Sequence, residues 1–329
     1  FNNKFGVPLS LFNLREKDDF GVFEVGMDKK GEIDNLTKII QPDIGVITNI
    51  SYAHAKNFKN IKQIALAKAE IINNIKEGGS LVLNADDKFY KLLNKIATKK
   101  KIKVYSFSLK KKTASTQLNY LLKYKSKFKI SINVGNQKKY FFIKSNFENN
   151  IQNLLAAITV ISIFKNIKEL SSNIFYNVKI LAGRGDISKL KIKKKNIFLV
   201  DESYNSNPLS LSSAIKNFNS MDIKHNKKHL ILGDMLELGR HSKKMHSKIS
   251  DVINSSSIDC VSILGKKVRE TYKNIHKNKK GLILNESSEI IDLIKNNLNN
   301  NDYLMIKGSN STGLNNFSNL LKKGRLNAL

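Results

Sequence analysis

A chain of 329 residues, 41% hydrophobic and 26% charged, can bury a large core and is better matched to two domains than to one. No run approaches the roughly 18–20 apolar residues that a membrane span needs, and the opening FNNKFGVPLS is not a signal peptide. The formal charge of +30 would steer polyanions, yet the lysines run along the whole chain among many Asn and Ile, arginine is scarce, and no aromatic-basic interleaving or recognition motif emerges. The composition therefore reads as a solvated basic surface with no nucleic-acid partner, compatible with small anionic substrates such as nucleotides. The single Cys260, in IDCVSILG, reads as a small buried hydrophobe, which places the protein in a reducing cytoplasm.

Strand and helix alternate through the first half. FGVFEVGM at 20–27, DIGVITNI at 43–50, GSLVLNADD at 79–87 and KIKVYSFS at 101–108 read as strands, with helices around 31–40, around 61–76 and after NADD. Short apolar strands separated by helices predict an α/β unit with a largely parallel sheet covered on both faces. From 118 to 144 the pattern changes to short alternating segments with GNQ as a hairpin turn, which predicts an antiparallel appendage. Helical segments follow to about 176, the chain breaks at AGRGD (182–186), and a second βα series begins with KNIFLVDES, HLILGD, SIDCVSILG, KKGLILN and NDYLMIKGS. The boundary is placed near 182, giving domains 1–182 and 183–329; KLKIKKKN at 189–196 reads as a turn beside an edge strand.

Four places in the first half carry candidate chemistry. Glu24, near a predicted strand end, is either a ligand for Mg²⁺ at the carboxyl edge of the sheet or a loop carboxylate paired with lysine. Asn49 and His54 follow the next strand end and are expected at the same site. Lys68 lies on the apolar stripe of Ile61, Ile64, Ala65, Ile72 and Ile75. A buried ammonium there calls for a carboxylate partner, a modification that turns it into a metal-binding group, or a side chain that snorkels to water. The NADD cluster, Asn84 to Asp87, either meets a nucleotide or caps a helix.

The second half is denser. In VDESYNSNPLSLSSAI (200–215) a strand ends in Asp201 and polar turns lead into a helix started by Pro208. In LILGDMLELGRHSKKMH (230–246) another strand runs into an acid, followed by Glu237 and His246. Two acidic strand ends in succession predict one crevice.

Taken in order, NNKFGVPLSL, EVGMDKKGEI, ITNISYAH, ALAKAEI, NADD, GRG, DESYNSNP, GDMLELG with the later His246, and IKGSNS resemble the Mur ligase family over nearly the whole chain. The resemblance implies a three-domain enzyme in which a UDP-binding domain precedes an ATP-binding central domain and a Rossmann-like carboxyl-terminal domain. The expected fold class is thus α/β: a partial, parallel-sheet ATPase-type central domain, amino-terminally truncated, with its antiparallel appendage, then the Rossmann-like domain. The implied cofactors are ATP and Mg²⁺, the metal held by Glu24, His54 and a carbamylated Lys68. Asn2 and Asn3 match an Asn pair beside nucleotide and muramoyl substrate. Asn84 and Asp87 are expected at the nucleotide, Arg184 at the ATP phosphates and Asp201 at the nucleotide. Asn205, Asn207, the GDMLELG loop and Lys307 to Ser309 are expected where the amine substrate enters. The implied reaction joins D-alanyl-D-alanine to UDP-N-acetylmuramoyl-tripeptide through an acyl phosphate, in a monomeric protein. One family feature is missing: no GxxxxGK[ST] phosphate loop occurs, so a truncated or inactive remnant is an alternative. A related amide ligase, including a folate-polyglutamate type, would share Glu24, His54 and Lys68 but not the pairing of ESYNSNP with GDMLELG. A dinucleotide enzyme would need a GxGxxG turn, which is absent.

Overall fold

Short runs of buried apolar residues, each followed by an amphipathic helix, fold into two α/β units in a computed structural model that describes residues 2–125, 127–223 and 225–324. The units comprise residues 1–178 and 179–329. In the first, α1 (Gly6–Phe12), α2 (Glu32–Ile40), β1 (Ile44–Ile47), α3 (Ile61–Lys68), β2 (Ser80–Asn84), α4 (Tyr90–Lys99) and β3 (Lys103–Ser108) are followed by β4 (Thr116–Tyr124), β5 (Lys127–Val134), β6 (Gln137–Ile143) and α5 (Glu148–Phe164). The sheet order follows the chain, β1-β2-β3-β4-β5-β6, parallel from β1 to β4 and antiparallel from β4 to β6. All five residues of β2 are buried, as expected for an inner parallel strand. Beneath the sheet, Phe107, Ile130, Ile132 and Phe141 pack with Leu155 and Ile158 of α5.

Two details differ from the sequence reading. The segment 20–27 is not a strand: it finds no ladder partner among the described residues, and Val22 stays almost fully exposed. Extended backbone without a neighbour is not a sheet, whatever its composition. Glu24 therefore sits on a loop rather than at a strand end. The helix expected over 61–76 is α only to Lys68 and then tightens to a 3₁₀ turn over Ala69–Asn74, where Asn73 and Asn74 bond Asp34 of α2. The expected antiparallel appendage is present, and it continues the parallel strands into one six-stranded sheet, because β4 pairs with β3 through Phe107–Thr116 and Ser108–Gln117. The β5–β6 hairpin turns at Gly135–Asn136, with Gly135 at φ +53, a conformation that favours glycine.

The second unit contains β7 (Asp186–Ile192), β8 (Lys195–Asp201), α6 (Pro208–Ser220), β9 (Lys228–Gly233), α7 (Ser242–Asn254), β10 (Cys260–Leu264), α8 (Arg269–Asn274), β11 (Lys280–Leu284), α9 (Glu289–Asn297), β12 (Tyr303–Lys307) and α10 (Leu314–Lys322). Its sheet has the order β11-β10-β9-β12-β8-β7, parallel except for the edge hairpin β7–β8, whose turn lies in the lysine run 189–196. The last strand, β12, inserts between β8 and β9, so the chain reverses its winding there and the carboxyl ends of three strands open side by side. Leu199, Ile231, Leu304, Ile306 and Phe317 fill the core beneath them. Among the described residues no helix is long and apolar enough to cross a membrane.

Candidate functional site

In the first unit the carboxyl ends of β1, β2 and β3 are tied together by the NADD cluster. Asp87 accepts the Ile50 amide at 2.8 Å and the Phe89 amide at 2.8 Å, and Asp86 accepts from Ser108 Oγ and the Leu109 amide. The Asn84 side chain accepts the Asp86 amide at 2.9 Å, closing a local turn. Lys68, at the last position of α3, points into this cluster: its Nζ donates to the Asn49 carbonyl at 3.2 Å. Burial holds the Lys68 ammonium below its usual pKa, and the Asp87 charge offsets that only in part. The geometry thus unites Lys68, Asn49 and Asp87, and the tightened turn leaves Lys68 at the end of the helix rather than within a continuous apolar stripe.

The hydrogen bonds of Glu24 and His54 lead elsewhere. Asn2 Nδ2 donates to Glu24 Oε1 at 3.0 Å and the Gly26 amide donates to the Asn2 carbonyl at 2.7 Å, so Asn2 straps the 24–26 loop. Asn3 Oδ1 accepts the amides of Phe5 and Gly6 at the start of α1. His54, in a left-handed conformation at φ +53, places Nδ1 3.0 Å from Asp28 Oδ1. Asp28 lies on the loop before α2, and that loop is held by Glu70, whose carboxylate takes the Gly31 amide at 2.8 and 2.9 Å. Sequence reasoning missed both Asp28 and Glu70; a carboxylate whose partner is 26 or 39 residues away leaves no local pattern. As a donor set for Mg²⁺, Glu24 fits, since it offers an exposed hard oxygen beside the one taken by Asn2. Lys68 offers no ligand atom as an ammonium and fits only as a carbamate.

In the second unit the crevice over β8, β12 and β9 is built by two residues of the KGS turn. The Lys307 ammonium is 2% exposed and reaches the Glu202 carboxylate at 3.2 Å and the Asn205 carbonyl at 3.0 Å. Burial pulls its pKa down, opposed by Glu202. Ser309 Oγ accepts the Leu236 amide at 2.8 Å and donates to the Ser206 carbonyl at 3.2 Å, while the Ser309 amide donates to the Asp234 carbonyl. The ESYNSNP, GDMLELG and KGSNS segments are therefore laced into one rim. Their approach favours the paired strand-end glycines: a Cβ on Gly233 would lie 3.2 Å from the Gly308 Cα, and one on Gly308 3.1 Å from the Gly233 Cα, tighter than ordinary contact.

The remaining residues divide between rim and support. Arg184 is exposed and its guanidinium stacks 4.5 Å from the Tyr204 ring centroid, available to an anion. Asn205 accepts the Ser206 amide at 2.7 Å. Asn207 is the N-cap of α6, bonded to the Ser210 amide at 2.9 Å in a capping box with Pro208 at the first turn. Asp201 is fully buried: Ser203 Oγ and amide donate to one oxygen and Lys322 pairs with the other, so it presents no free oxygen to a nucleotide. Burial pushes the Lys322 ammonium down, but Asp186 and Asp201 together outweigh it and hold its pKa above normal. His246, 1% exposed, accepts the Met235 amide at Nε2 and meets the Ser242 carbonyl at Nδ1, pinning the GDMLELG loop to α7.

A model of the Mur ligase middle domain matches residues 1–161, and one of the Mur ligase glutamate ligase domain matches residues 189–310. The chain is similar to the UDP-N-acetylmuramoyl-tripeptide--D-alanyl-D-alanine ligase of Buchnera aphidicola subsp. Acyrthosiphon pisum, 31% identical over 326 residues, which covers 94% of this chain and 67% of that one. It is 29% identical over 315 residues to the ligase of the same name from Bacillus subtilis, covering 94% of this chain and 65% of its relative, so it spans about two thirds of the length of these proteins. In fold it resembles MurF from Acinetobacter baumannii, with a TM-score of 0.84 at 22% identity over 98% of this chain and 69% of that one. A MurF ligase from Thermotoga maritima in complex with ADP gives 0.83 at 21% identity, covering 100% of this chain and 73% of that one.

Proposed function

This chain belongs to the Mur ligase family, and on that basis we propose that it works in an ATP-dependent amide ligase that joins D-alanyl-D-alanine to UDP-N-acetylmuramoyl-tripeptide. The observation that carries the reading is the laced rim of the second unit, where ESYNSNP, GDMLELG and KGSNS meet through Lys307 and Ser309.

In the proposed reaction the tripeptide carboxylate attacks the γ-phosphorus of ATP, giving an acyl phosphate and ADP. The dipeptide amine then adds to the acyl carbon, loses a proton, and phosphate leaves. No side-chain nucleophile is required, so the residues bind, orient and neutralise charge. Arg184 offers a guanidinium to phosphate oxygens. Asn205 and the rim backbone face the dipeptide, while Lys307 and Ser309 keep the rim in register. In the first unit the Asn84–Asp87 turn borders the nucleotide, Asn2 holds the 24–26 loop and Asn3 the start of α1 beside the muramoyl substrate, and Lys68 works as a carbamate. Mg²⁺, held by Glu24, His54 and that carbamate, would offset charge on the transferring phosphoryl group.

The chain has no GxxxxGK[ST] stretch, so the test uses the protein at its native length. Release of ADP should require both the UDP-linked tripeptide and D-alanyl-D-alanine, with the amide product identified by mass. Turnover with glutamate in place of the dipeptide would move the protein to another branch of the family, and nucleotide binding without turnover would make it a noncatalytic relative. The reading is completed by a monomer that works in the cytoplasm; sedimentation of the purified protein checks the first and fractionation of the cell the second.

A further inference from the structure

Residues 88–147 contain seventeen lysines and neither aspartate nor glutamate, more than half of the net charge in under a fifth of the chain. Within this stretch the two-residue period of β4, β5 and β6, broken by a register shift between Leu118 and Tyr120, sends Leu118, Leu121, Ile130, Ile132, Phe141 and Ile143 to the core. The other face is a grid. Its register sets Tyr124 opposite Lys127, Leu122 opposite Lys129, and Lys129 opposite Phe142. The Lys127 ammonium lies 3.5 Å from the Phe142 centroid and that of Lys129 4.4 Å from the Tyr140 centroid. Tyr124, Leu122 and Tyr140 are about half exposed, and the β4–β5 end also carries the exposed Lys123 and Lys125. The aromatic-basic interleaving that the sequence reading did not detect is thus present, folded onto one face.

We propose that this face docks the protein on an anionic lipid surface. The charge is complementary to acidic headgroups, with no carboxylate in the stretch to oppose them. Tyr and Phe beside lysine suit the headgroup boundary, and Leu122 adds an aliphatic contact that only an acyl region rewards. A single-stranded nucleic acid would need open ring faces for its bases. Here Lys127 and Lys129 already lie over the rings of Phe142 and Tyr140.

The test is co-sedimentation of the full chain with phosphatidylglycerol-containing vesicles and with pure phosphatidylcholine vesicles at about 0.1 M salt. Binding to the anionic vesicles alone is expected. Lys127→Ser with Lys129→Ser should weaken it about fivefold per lysine, Leu122→Ser should weaken it further, and the charge-matched Lys243→Ser with Lys244→Ser should cost much less. Equal loss from both lysine pairs would reduce the effect to net charge and overturn the site. Failure to bind anionic vesicles, or displacement from them by polyuridylate at equal charge with the same variant sensitivity, would overturn the lipid assignment, the latter in favour of a nucleic-acid surface. Circular dichroism of each variant confirms that losses are not unfolding.

Discussion

Lys68 is the residue whose environment most constrains its chemistry. Burial beside the Asn49 carbonyl disfavours its ammonium, and Asp87 compensates only partly. A lowered pKa enlarges the free-amine fraction at neutral pH, and the free amine is the form that adds to carbon dioxide. We expect a bicarbonate-dependent carbamate, visible as a ¹³C-carbonyl resonance from labelled bicarbonate that Lys68→Met abolishes; a spectrum identical in both proteins would leave Lys68 a structural lysine. Linkage gives a second readout. Above its folded pKa the unfolded chain binds the extra proton, so stability should rise with pH toward about 10.4, and the variant should lack that slope. Lys307 is the opposite case, a buried cation with a dedicated partner. Lys307→Met strands Glu202 and should cost about 3–5 kcal/mol in denaturant unfolding, while adding Glu202→Gln should restore much of it. Lys68 was legible in sequence because it falls on an apolar stripe, and Lys307 only through the resemblance carried by IKGSNS. Their partners were not, since Asp87 and Glu202 are set by strand order, and Lys322, which claims Asp201, lies far along the chain.

At the scale of elements, sequence period proved a good guide to what forms and a poor one to what pairs. Pro208 and the polar turn before it do start a helix, with Asn207 and Ser210 closing a capping box. The segment 20–27 has strand composition and no ladder partner among the described residues, while the antiparallel character of β4–β6 was legible but its junction with β3 was not, because two residue pairs leave no trace in sequence. The same limitation hid the lysine-aromatic face, since alternation becomes a surface only when three strands come into register. The strand-end loops depend on such registration too. Ser309 is the only side chain bonded to both the Leu236 amide and the Ser206 carbonyl in the described rim. Ser309→Ala should therefore cost about 1–3 kcal/mol by leaving the Leu236 amide without its acceptor. Within the proposed reaction it should raise KM for the dipeptide far more than KM for ATP; an equal change in both would mean that Ser309 supports the fold without shaping the amine site.

At the scale of the whole molecule, the division into two units has a thermodynamic consequence. The cluster around Phe107, Ile130 and Leu155 lies within residues 1–178, and that around Leu199, Ile231 and Phe317 lies within 179–329. Each sheet is completed by its own strands. A fragment of residues 179–329 should fold alone and unfold in one cooperative thermal transition. Its acid response is also fixed. Burial lowers the pKa of His246, and of His229 despite the opposing pull of Asp302, below the value of about 6.5 expected when unfolded. Between that value and each folded pKa the unfolded chain takes up protons that the folded unit resists, so these groups weaken the fragment as pH falls below about 6.5 and contribute no slope well above it. Replacing His246 with Gln should shallow the decline without removing it, because His229 contributes with the same sign. A broad, noncooperative transition would show that the second core needs the first, whereas a cooperative transition with an unchanged acid slope in the variant would show that His246 pins its loop without feeling its own burial.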